Sequence, residues 1–422
     1  MALIDLDAER SRSESQDLFD GSTEVVGVQG NTIYCDHNAT TPMRRVAVEA
    51  MMRWLEQPAN ASSRHIWGQQ AAAAVEEARE QVALIIGARA REIVFTSGAT
   101  EANNLAIHAA LSVRPRVMLV TTAVEHAAVL QVARARNGSA VVGVDHNGRV
   151  DLAALSDALR EYPCAVVSVI AANNETGVIT DLPAVSAVVR RAGGLMHTDA
   201  TQAVGRIPVD VDHWDVDLLS LSGHKFGGPA GVGALYVRRE APLPVRPMFH
   251  GGEQERGWRP GTVNVASVVA LGAAAEEAKS LMHAESGYVQ AIRDQFESEV
   301  RHSGLRVRCN GEDAARLPGV SSLTLTGCPA DAVMAAMPHI AVSEGSACSS
   351  GALEPSHVLL AMGRSPEEAD STLRFSFGYT NAESDGPDAA RSLVAAVNAV
   401  DRAVGFSASA AGPVVERHGV LA

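Results

Sequence analysis

The chain has 422 residues, of which 46% are hydrophobic and 20% are charged, a composition typical of a folded protein with one or two domains. Its formal net charge of -14 argues against nucleic acid as a partner, because phosphate backbones bind basic surfaces. No apolar run approaches the roughly 18 residues that span a bilayer, so we expect no membrane partner.

The cysteines and the N-terminus predict a cytoplasmic protein. Five cysteines without a Cys-x-x-Cys pair indicate free thiols in a reducing compartment. The histidines and cysteines lack the spacing of a metal site, so we expect no bound metal. Residues 1–30 are acidic and polar, without the basic start and apolar core of a secretory signal, and we expect them to form a mobile extension.

The predicted elements begin with a short strand at residues 33–36 and a turn at residues 38–42. Helical spacing predicts helices at residues 42–55 and 69–86, the second ending at Gly87. Apolar strands then alternate with helices. The strands are predicted at residues 92–96, 116–122, 140–144, 164–171, 194–198, 216–221 and 232–237, and the helices at residues 101–111, 127–136, 151–160 and 182–191.

This alternation predicts an α/β fold with a mainly parallel seven-stranded sheet flanked by helices. The last strand follows a turn too short for a crossover, so we expect it to run antiparallel. From about residue 268 the pattern changes to one or two long helices, and then to short strands among helices, at residues 306–308, 320–326, 340–342 and 373–377. We therefore predict a large domain at residues 31–267, a smaller α+β domain at residues 268–404 and a loose tail at residues 405–422.

Polar side chains cluster where the predicted parallel strands end. The clusters are residues 97–101, Glu125 with His126, residues 173–175, Asp199 with Gln202, and Ser222 with His224 and Lys225. Each cluster alone is more often a helix cap, and a lone lysine is ordinarily a surface residue. Because ligand sites form at the carboxyl ends of parallel strands, their coincidence predicts one shared site.

These groups fit a phosphate-bearing aldehyde cofactor. A lysine desolvated at a strand end can attack a carbonyl, so we predict that Lys225 holds the cofactor as a Schiff base. Asp199 would pair with a protonated ring nitrogen, and His126 would lie over the ring. The turn that opens a helix at Ala99 and Thr100 would bind the phosphate together with the Ser222 hydroxyl.

A longer series of motifs extends this interpretation. In chain order they are Asp36-x-x-Ala-Thr-Thr-Pro42, Asn60-x-Ser-Ser-x-His65-x-x-Gly68, Ser97-Gly-Ala-Thr-Glu101, Glu125-His126, Asn173-Asn-Glu-x-Gly177, His197-x-Asp199-x-x-Gln202, Ser222-Gly-His-Lys225, His250-Gly-Gly-x-Gln-Glu-Arg256, Gly261-Thr262 and Gly345-Ser-Ala-Cys348. Over about residues 33–380 the chain resembles the cysteine desulfurases. These are fold type I pyridoxal 5'-phosphate (PLP) enzymes of the class V aminotransferase group.

The resemblance implies further site residues and a homodimer. It implies that Asn174 and Gln202 contact the ring oxygen and the substrate side of the cofactor. It also implies that His224 supports the phosphate and Lys225. Thr262 would reach the phosphate bound in the neighbouring subunit, so the two sites of a homodimer would be shared.

Cys348 lies in a run of small residues at 343–351, bounded by a strand and a helix. Such a run packs little core, so we interpret Cys348 as a second nucleophile and not as a buried cysteine. The other cysteines fit buried small residues, and they are Cys35, Cys164, Cys309 and Cys328.

The reaction that the resemblance implies converts L-cysteine to L-alanine. Arg374, with Asn174, would bind the substrate carboxylate, and Lys225 would remove the Cα proton. The Cys348 thiolate would take the sulfur as a persulfide and pass it to an acceptor protein or a small thiol. Iron–sulfur cluster assembly, tRNA thiolation, DNA sulfur modification and thio-containing natural products remain open as destinations. The alternatives are a cysteine or cystine lyase, a selenocysteine lyase, an aminotransferase, or an interaction protein without turnover.

Overall fold

The computed structural model describes residues 32–112, 117–241, 243–344 and 355–410. The extension predicted at residues 1–30, Cys348 with residues 345–354, and residues 411–422 of the predicted tail lie outside the described residues. The described part contains every strand of the large sheet that the sequence predicts.

The chain enters the fold with a two-residue strand, β1 (Ile33–Tyr34), and then builds a seven-stranded sheet. The sheet strands are β2 (Ile93–Thr96), β3 (Leu119–Thr122), β4 (Ser139–Val142), β5 (Val166–Ile170), β6 (Leu195–Asp199), β7 (Leu218–Ser222) and β8 (Gly233–Val237). Their spatial order is β2-β8-β7-β6-β5-β3-β4. All neighbours are parallel except β8, which is antiparallel to both β2 and β7. The predicted α/β fold and the antiparallel direction of β8 are confirmed.

Helices cover both faces of this sheet, and they are α1 (Arg45–Leu55), α2 (Ile66–Ile85), α3 (Ala99–Leu111), α4 (Ala127–Arg134), α5 (Leu152–Glu161), α6 (Leu182–Arg191) and α7 (Val265–His302). On one face, Leu105 of α3 and Val129 of α4 share a buried cluster with Val166 and Leu218. On the other face, α2, α5, α6 and the first part of α7 pack around Val167. Both faces of the central strands are buried, which explains their continuous apolar sequences.

The C-terminal part forms a smaller α+β unit. Its elements are β9 (Val307–Cys309), β10 (Val320–Leu325), α8 (Ala330–Ala336), β11 (Ile340–Ala341), β12 (Ser343–Glu344), α9 (His357–Ala361), α10 (Pro366–Asp370), β13 (Thr372–Ser376) and α11 (Asp385–Ala410). An antiparallel sheet in the order β12-β13-β10-β9 packs against α7 and α11 through a cluster that includes Phe296, Phe375 and Leu393.

Two details of this unit differ from the sequence prediction, and a third settles whether one or two long helices follow residue 268. α7 is one unbroken helix of 38 residues, because its first part belongs to the large core and its second part to the small one. The strand predicted at residues 340–342 is two short strands, since β11 pairs with β1 and β12 pairs with β13. α11 continues to Ala410, past the predicted boundary at residue 404. Within the described ranges, no helix is long and apolar enough to cross a membrane.

The first strand ties the beginning of the chain to its last strands. β1 pairs in parallel with β11, and Asp36 forms a parallel bridge with Ser376 at the end of β13. The chain then passes beside the turn that carries Lys225, where the Thr41 amide donates to the His224 carbonyl at 2.9 Å. Residues 36–41 therefore lie between the small sheet and the carboxyl edge of the large sheet.

Candidate active site

The carboxyl ends of the parallel strands surround a cavity of about 340 Å³. Its lining contains most of the predicted site residues, namely Ala99, Thr100, His126, Asn174, Asp199, Gln202, Ser222, His224 and Lys225. Groups that are dispersed along the sequence meet here because parallel strands end at the same edge of the sheet. Thr262 and Arg374 are not part of this lining, and Cys348 lies outside the described residues.

The beginning of α3 forms one wall of the cavity. Gly98, which precedes the helix, has φ 148° and ψ 179°, a conformation essentially restricted to glycine. Gly98 supplies no side-chain cap, so the amides of Ala99 and Thr100 have no acceptor within the described part of the chain. The Ser222 hydroxyl lies 3.7 Å from the place that a Cβ on Gly98 would occupy. Open amides, the positive end of a helix and a hydroxyl together make this wall suited to binding an anion.

Asp199 supplies a fixed negative charge to the cavity. It is the last residue of β6 and is 3% exposed. Its carboxylate accepts hydrogen bonds from Asn103 Nδ2 at 2.7 Å and from the Thr201 amide at 3.0 Å. Both donors are neutral, so the charge is left for a cationic group in the cavity. His197 lies between two serine hydroxyls, and burial lowers its pKa to about 4, so it does not supply that cation at neutral pH.

Lys225 is held at the cavity by the first residues of the fold. It ends a short turn, Gly223–Lys225, which directly follows β7. Its Nζ donates to the main-chain carbonyls of Asn38 and Ala39 at 2.6 and 2.7 Å. These carbonyls are in place because β1 and Asp36 are paired with the C-terminal strands. These two main-chain carbonyls direct the amine of Lys225.

Two histidines of the lining have defined ring orientations. His224 Nδ1 lies 3.2 Å from a threonine hydroxyl, and burial together with the charges of Lys225 and Arg206 lowers the pKa of His224 to about 4. The ring of His224 is therefore neutral at pH 7. His126 caps α4, since its Nδ1 accepts from the Ala128 amide at 3.1 Å. An accepting Nδ1 carries no proton, so the N–H of the neutral ring is at Nε2.

Two buried carboxyl groups lie near His126. Glu125 Oε1 accepts from the Thr122 hydroxyl at 2.6 Å and from a main-chain amide of β5 at 2.9 Å. Glu125 Oε2 has no partner in the described part of the chain, and burial raises the pKa of Glu125 to about 8. Glu175 accepts from the Ser356 hydroxyl at 2.5 Å, and burial raises its pKa to about 7. Glu125 is therefore protonated at neutral pH and adds no negative charge beside Asp199.

Arg374 lies behind the cavity wall. It is 1% exposed, and its Nη1 donates to the Asn174 carbonyl at 3.0 Å. Its Nη2 donates at 2.6 Å to Asp36, whose other oxygen accepts from the Ser343 hydroxyl at 2.7 Å. Arg374 Nε has no partner among the described residues. One side of the guanidinium is thus anchored, and the Nε side retains an unused donor.

Thr262 lies apart from the main cavity. It lines a neighbouring cavity of about 260 Å³ together with Arg259 and Gly261. The two cavities share Ser97 and Gly231 in their linings. Within a single chain, Thr262 is therefore not among the residues that surround Lys225.

Comparison with known proteins identifies the family. The family model described as Aminotransferase class-V matches residues 33–385, which is most of the chain. The chain belongs to the class-V aminotransferase family. The match covers every cavity residue described above, from Asn38 to Lys225.

Individual members of the family show where within it the chain is placed. A cysteine desulfurase of Gluconacetobacter diazotrophicus is 43% identical over 365 residues, which cover 84% of this chain and 90% of the relative. The cysteine desulfurase IscS of an Anaeromyxobacter species is 43% identical over 370 residues, covering 86% and 91%. The resemblance to cysteine desulfurases stated from the motifs is confirmed.

Solved structures of the family share the whole architecture. The structure of a NifS-like protein from Rickettsia africae superposes with a TM-score of 0.79 at 29% identity, covering 88% of this chain and 99% of that one. A structure described as SspA in complex with cysteine superposes with a TM-score of 0.73 at 33% identity, covering 83% and 100%.

Enzymes of this class-V group use PLP, and the cavity fits that cofactor. The open amides of Ala99 and Thr100 suit its phosphate, and the charge of Asp199 suits a protonated pyridine nitrogen. Lys225 is the amine of the cavity lining that can bond to its aldehyde. Within the described ranges, no group of histidines, cysteines or carboxylates is arranged to hold a metal ion.

Three residues of the site were missed by the sequence analysis. Asn38 is an unassigned position of the Asp36-x-x-Ala-Thr-Thr-Pro42 motif, yet its main-chain oxygen accepts from both Lys225 and Gln202. Asn103 holds Asp199, and Arg206 holds Gln202. Their roles depend on contacts between distant segments, which a local pattern does not indicate. Only the motif around Asn38 carried a signal.

Proposed function

We propose that the protein is a PLP-dependent cysteine desulfurase. It converts L-cysteine to L-alanine and transfers the sulfur to Cys348 as a persulfide, from which an acceptor takes it. The observation that carries this proposal is the meeting of Lys225, Asp199 and the open amides of α3 in one cavity. The relatives named cysteine desulfurase, and the similar structure described as bound to cysteine, support L-cysteine as the substrate.

Different residues of the cavity bind different parts of the cofactor. The amides of Ala99 and Thr100 and the Ser222 hydroxyl hold the cofactor phosphate. Asp199 keeps the ring nitrogen protonated, because its own hydrogen-bond donors are neutral. When bound, the cofactor supplies an electron sink for the carbon next to the substrate amine.

Proton and sulfur transfer then use three side chains. The Lys225 amine takes the Cα proton of the substrate. The Cys348 thiolate attacks the substrate sulfur, and the Cβ–S bond breaks with its electron pair left on the carbon side. A proton added to Cβ and the return of the proton from Lys225 to Cα then complete alanine. His126, whose neutral ring carries its proton on Nε2 and which belongs to the cavity lining, is the proposed proton donor.

Substrate binding is proposed for Arg374 and Asn174. The guanidinium of Arg374 is anchored by Asp36 and by the Asn174 carbonyl, and its Nε donor is unused. A carboxylate that binds on the Nε side completes the hydrogen bonds of this buried cation. Asn174, whose carbonyl accepts from Arg374, is itself part of the cavity lining.

A homodimer with shared sites is part of the proposal. Four large apolar side chains are more than half exposed at the end of α1 and the beginning of α2, namely Met52 (51%), Leu55 (60%), Ile66 (63%) and Trp67 (56%). Exposed apolar groups close together in the chain favour a protein interface. Thr262, which lies outside its own chain's main cavity, is then available to the phosphate of the neighbouring subunit.

We also propose that the protein works in the cytoplasm and passes its sulfur to an acceptor protein or a small thiol. The cysteines in the described part of the chain, Cys35, Cys164, Cys309 and Cys328, are all unpaired, as expected in a reducing compartment. A pull-down with persulfide-loaded protein identifies the acceptor.

The products of cysteine turnover test the proposed reaction. We expect the holoenzyme to form alanine and a protein persulfide from L-cysteine, whereas a lyase forms pyruvate and ammonia. We expect Cys348→Ala to lose persulfide formation while it retains the bound cofactor. Cys164→Ala is the control, since Cys164 is partly exposed and lies outside the cavity lining. Sulfur release at the parent rate by Cys348→Ala excludes Cys348 as the acceptor thiol.

A further inference from the structure

Arg206 is a partly buried cation that contacts no carboxylate in the part of the chain that the structure describes. Among the described residues, no acidic side chain lies within ion-pair distance of its guanidinium. Burial, with a smaller effect of the Arg374 charge, lowers the pKa of Arg206 to about 10, so the group remains charged at neutral pH. Burying a cation without a counter-ion costs stability unless other contacts offset it. Such a residue therefore indicates a role beyond packing.

The partners of Arg206 are all neutral oxygen atoms of the site. Its Nη1 donates to Gln202 Oε1 at 2.8 Å and to Asn38 Oδ1. Its Nη2 donates to the His37 carbonyl at 2.8 Å and to the Lys225 carbonyl at 3.1 Å. One guanidinium thus joins the segment that anchors Lys225, the turn that carries Lys225, and Gln202 in the lining.

These contacts determine which way the Gln202 amide faces. A guanidinium has only donors, so the atom of Gln202 that it contacts must be the oxygen. The amide nitrogen therefore points away from Arg206, and one of its hydrogens is donated to the Asn38 carbonyl at 3.0 Å. The second N–H is left for the cavity that Gln202 lines. A reversed amide would place an acceptor there and lose the bond to Arg206.

We propose that Arg206 is a positioning residue for cofactor binding, which presents the N–H side of Gln202 to the ring oxygen of PLP. The proposal rests on the proposed role of Gln202 as the contact of that oxygen. The cofactor carries negative charge on its phosphate and ring oxygen, so the positive charge of Arg206 also favours its binding. This electrostatic effect adds to the effect of orienting Gln202. Loss of Arg206 therefore weakens cofactor binding through both effects.

The test measures the dissociation constant of PLP for the full-length holoenzyme by equilibrium dialysis, with thermal unfolding of the cofactor-free protein as a second measurement. We expect Arg206→Met to raise the dissociation constant about tenfold, the value of one charge-assisted hydrogen bond. Arg206→Lys keeps the charge but cannot reach all four oxygens, so we expect partial recovery.

The matched control is Arg190→Met. Arg190 binds Asp215 and Asp217 near the beginning of β6, at the opposite end from Asp199. This control should lower the unfolding temperature and leave the dissociation constant unchanged.

A double-mutant cycle with Gln202→Ala separates the possible failures. If Arg206 acts through Gln202, Arg206→Met has much less effect in a Gln202→Ala background. An unchanged dissociation constant in Gln202→Ala overturns the role of Gln202 and with it this inference. If Gln202→Ala binds PLP more weakly but Arg206→Met binds it as tightly as the parent, the inference about Arg206 is overturned while the role of Gln202 stands. If Arg206→Met does not fold, an Arg206→Lys protein that binds PLP as tightly as the parent overturns it equally.

Discussion

At the scale of single residues, the site controls charge by burial. Glu125 is fully buried beside His126, and burial raises its pKa to about 8. His224 is shifted the other way, to a pKa of about 4, by burial and the charges of Lys225 and Arg206. Both side chains are therefore neutral at pH 7. Neither side chain therefore adds a charge beside Asp199 and Lys225 in the cavity lining, and the positive charge of Arg206 lies outside that lining, in contact with Gln202.

The protonation of Glu125 predicts how stability depends on pH. A carboxyl group with a raised folded-state pKa stabilises the fold fully below its unfolded pKa of about 4.3 and loses this contribution as the pH rises towards the folded value. Glu125→Gln is neutral at every pH. We therefore expect its unfolding free energy, relative to the parent, to increase by about 1.4 kcal/mol per pH unit between about pH 5 and 7.5.

Thermal unfolding of both proteins between pH 5 and pH 8 measures this difference. The unsatisfied amide hydrogens of the new glutamine carry a cost, but that cost does not vary with pH. Glu77→Gln, on the exposed side of α2, is the control, and its difference from the parent should stay constant. A constant difference for Glu125→Gln as well contradicts the raised pKa.

At the scale of elements, the strand ends explain why Lys225 and Asp199 were predictable. A buried parallel strand is a continuous apolar run, so the polar residue that ends it can be located from the sequence alone. Asn38 and Arg206 were not predictable in this way. The Asn38 carbonyl meets Gln202 and Lys225 across 164 and 187 residues of chain. Hydrogen bonds over such separations depend on how the helices and strands pack together. Local periodicity of the sequence does not predict this packing.

Pairing of short strands was beyond local prediction for the same reason. The sequence indicates a strand at residues 33–36, and its partner in the fold is β11. Two-residue strands have almost no periodicity, so the sequence pattern predicts neither their register nor their partner. The contact between Arg374 and Asp36 also joins these distant segments, since Asp36 follows β1 and bridges to Ser376 of β13.

The beginning of α3 gives a prediction at the same scale. Gly98→Ala forces a side chain into a backbone conformation that L-residues rarely adopt, at a cost of about 1–3 kcal/mol. The added Cβ has room, since its nearest neighbour is the Ser222 hydroxyl at 3.7 Å. The backbone must therefore rotate and turn the amides of Ala99 and Thr100, so we expect PLP affinity to fall about tenfold.

Equilibrium dialysis with PLP measures the change, and Gly87→Ala is the matched control. Gly87 also has a positive φ of 70°, but it follows the end of α2, outside the cavity lining. We expect Gly87→Ala to lower the unfolding temperature without altering PLP affinity. Equal PLP affinities for Gly98→Ala and the parent show that α3 does not hold the phosphate.

At the scale of the whole molecule, the proposed dimer predicts the effect of one added charge. Ile66 is 63% exposed at the first position of α2, where an aspartate suits the helix dipole. In a two-fold interface the substitution removes two apolar side chains, each worth at least about 1.5 kcal/mol when buried. We therefore expect Ile66→Asp to weaken dimerisation by about a hundredfold.

Analytical ultracentrifugation measures the shift from dimer to monomer. Leu84→Lys is the control, since Leu84 is 57% exposed at the other end of α2 and a basic residue suits that end. PLP affinity should fall together with dimerisation, because the monomer lacks Thr262 of its neighbour. A monomeric Ile66→Asp protein that binds PLP as tightly as the parent dimer argues against shared sites.

The pairing of β1 with the last strands has a consequence for biosynthesis. Ribosomes make chains from the N-terminus, so residues 33–39 leave the exit tunnel long before the strands that fix them. Until β13 is complete, the carbonyls of Asn38 and Ala39 are not anchored beside Lys225. The nascent large sheet is therefore made without a finished lysine site. We therefore expect cofactor binding at Lys225 only after β13 has been made, and a chain interrupted before β13 should lack the cofactor.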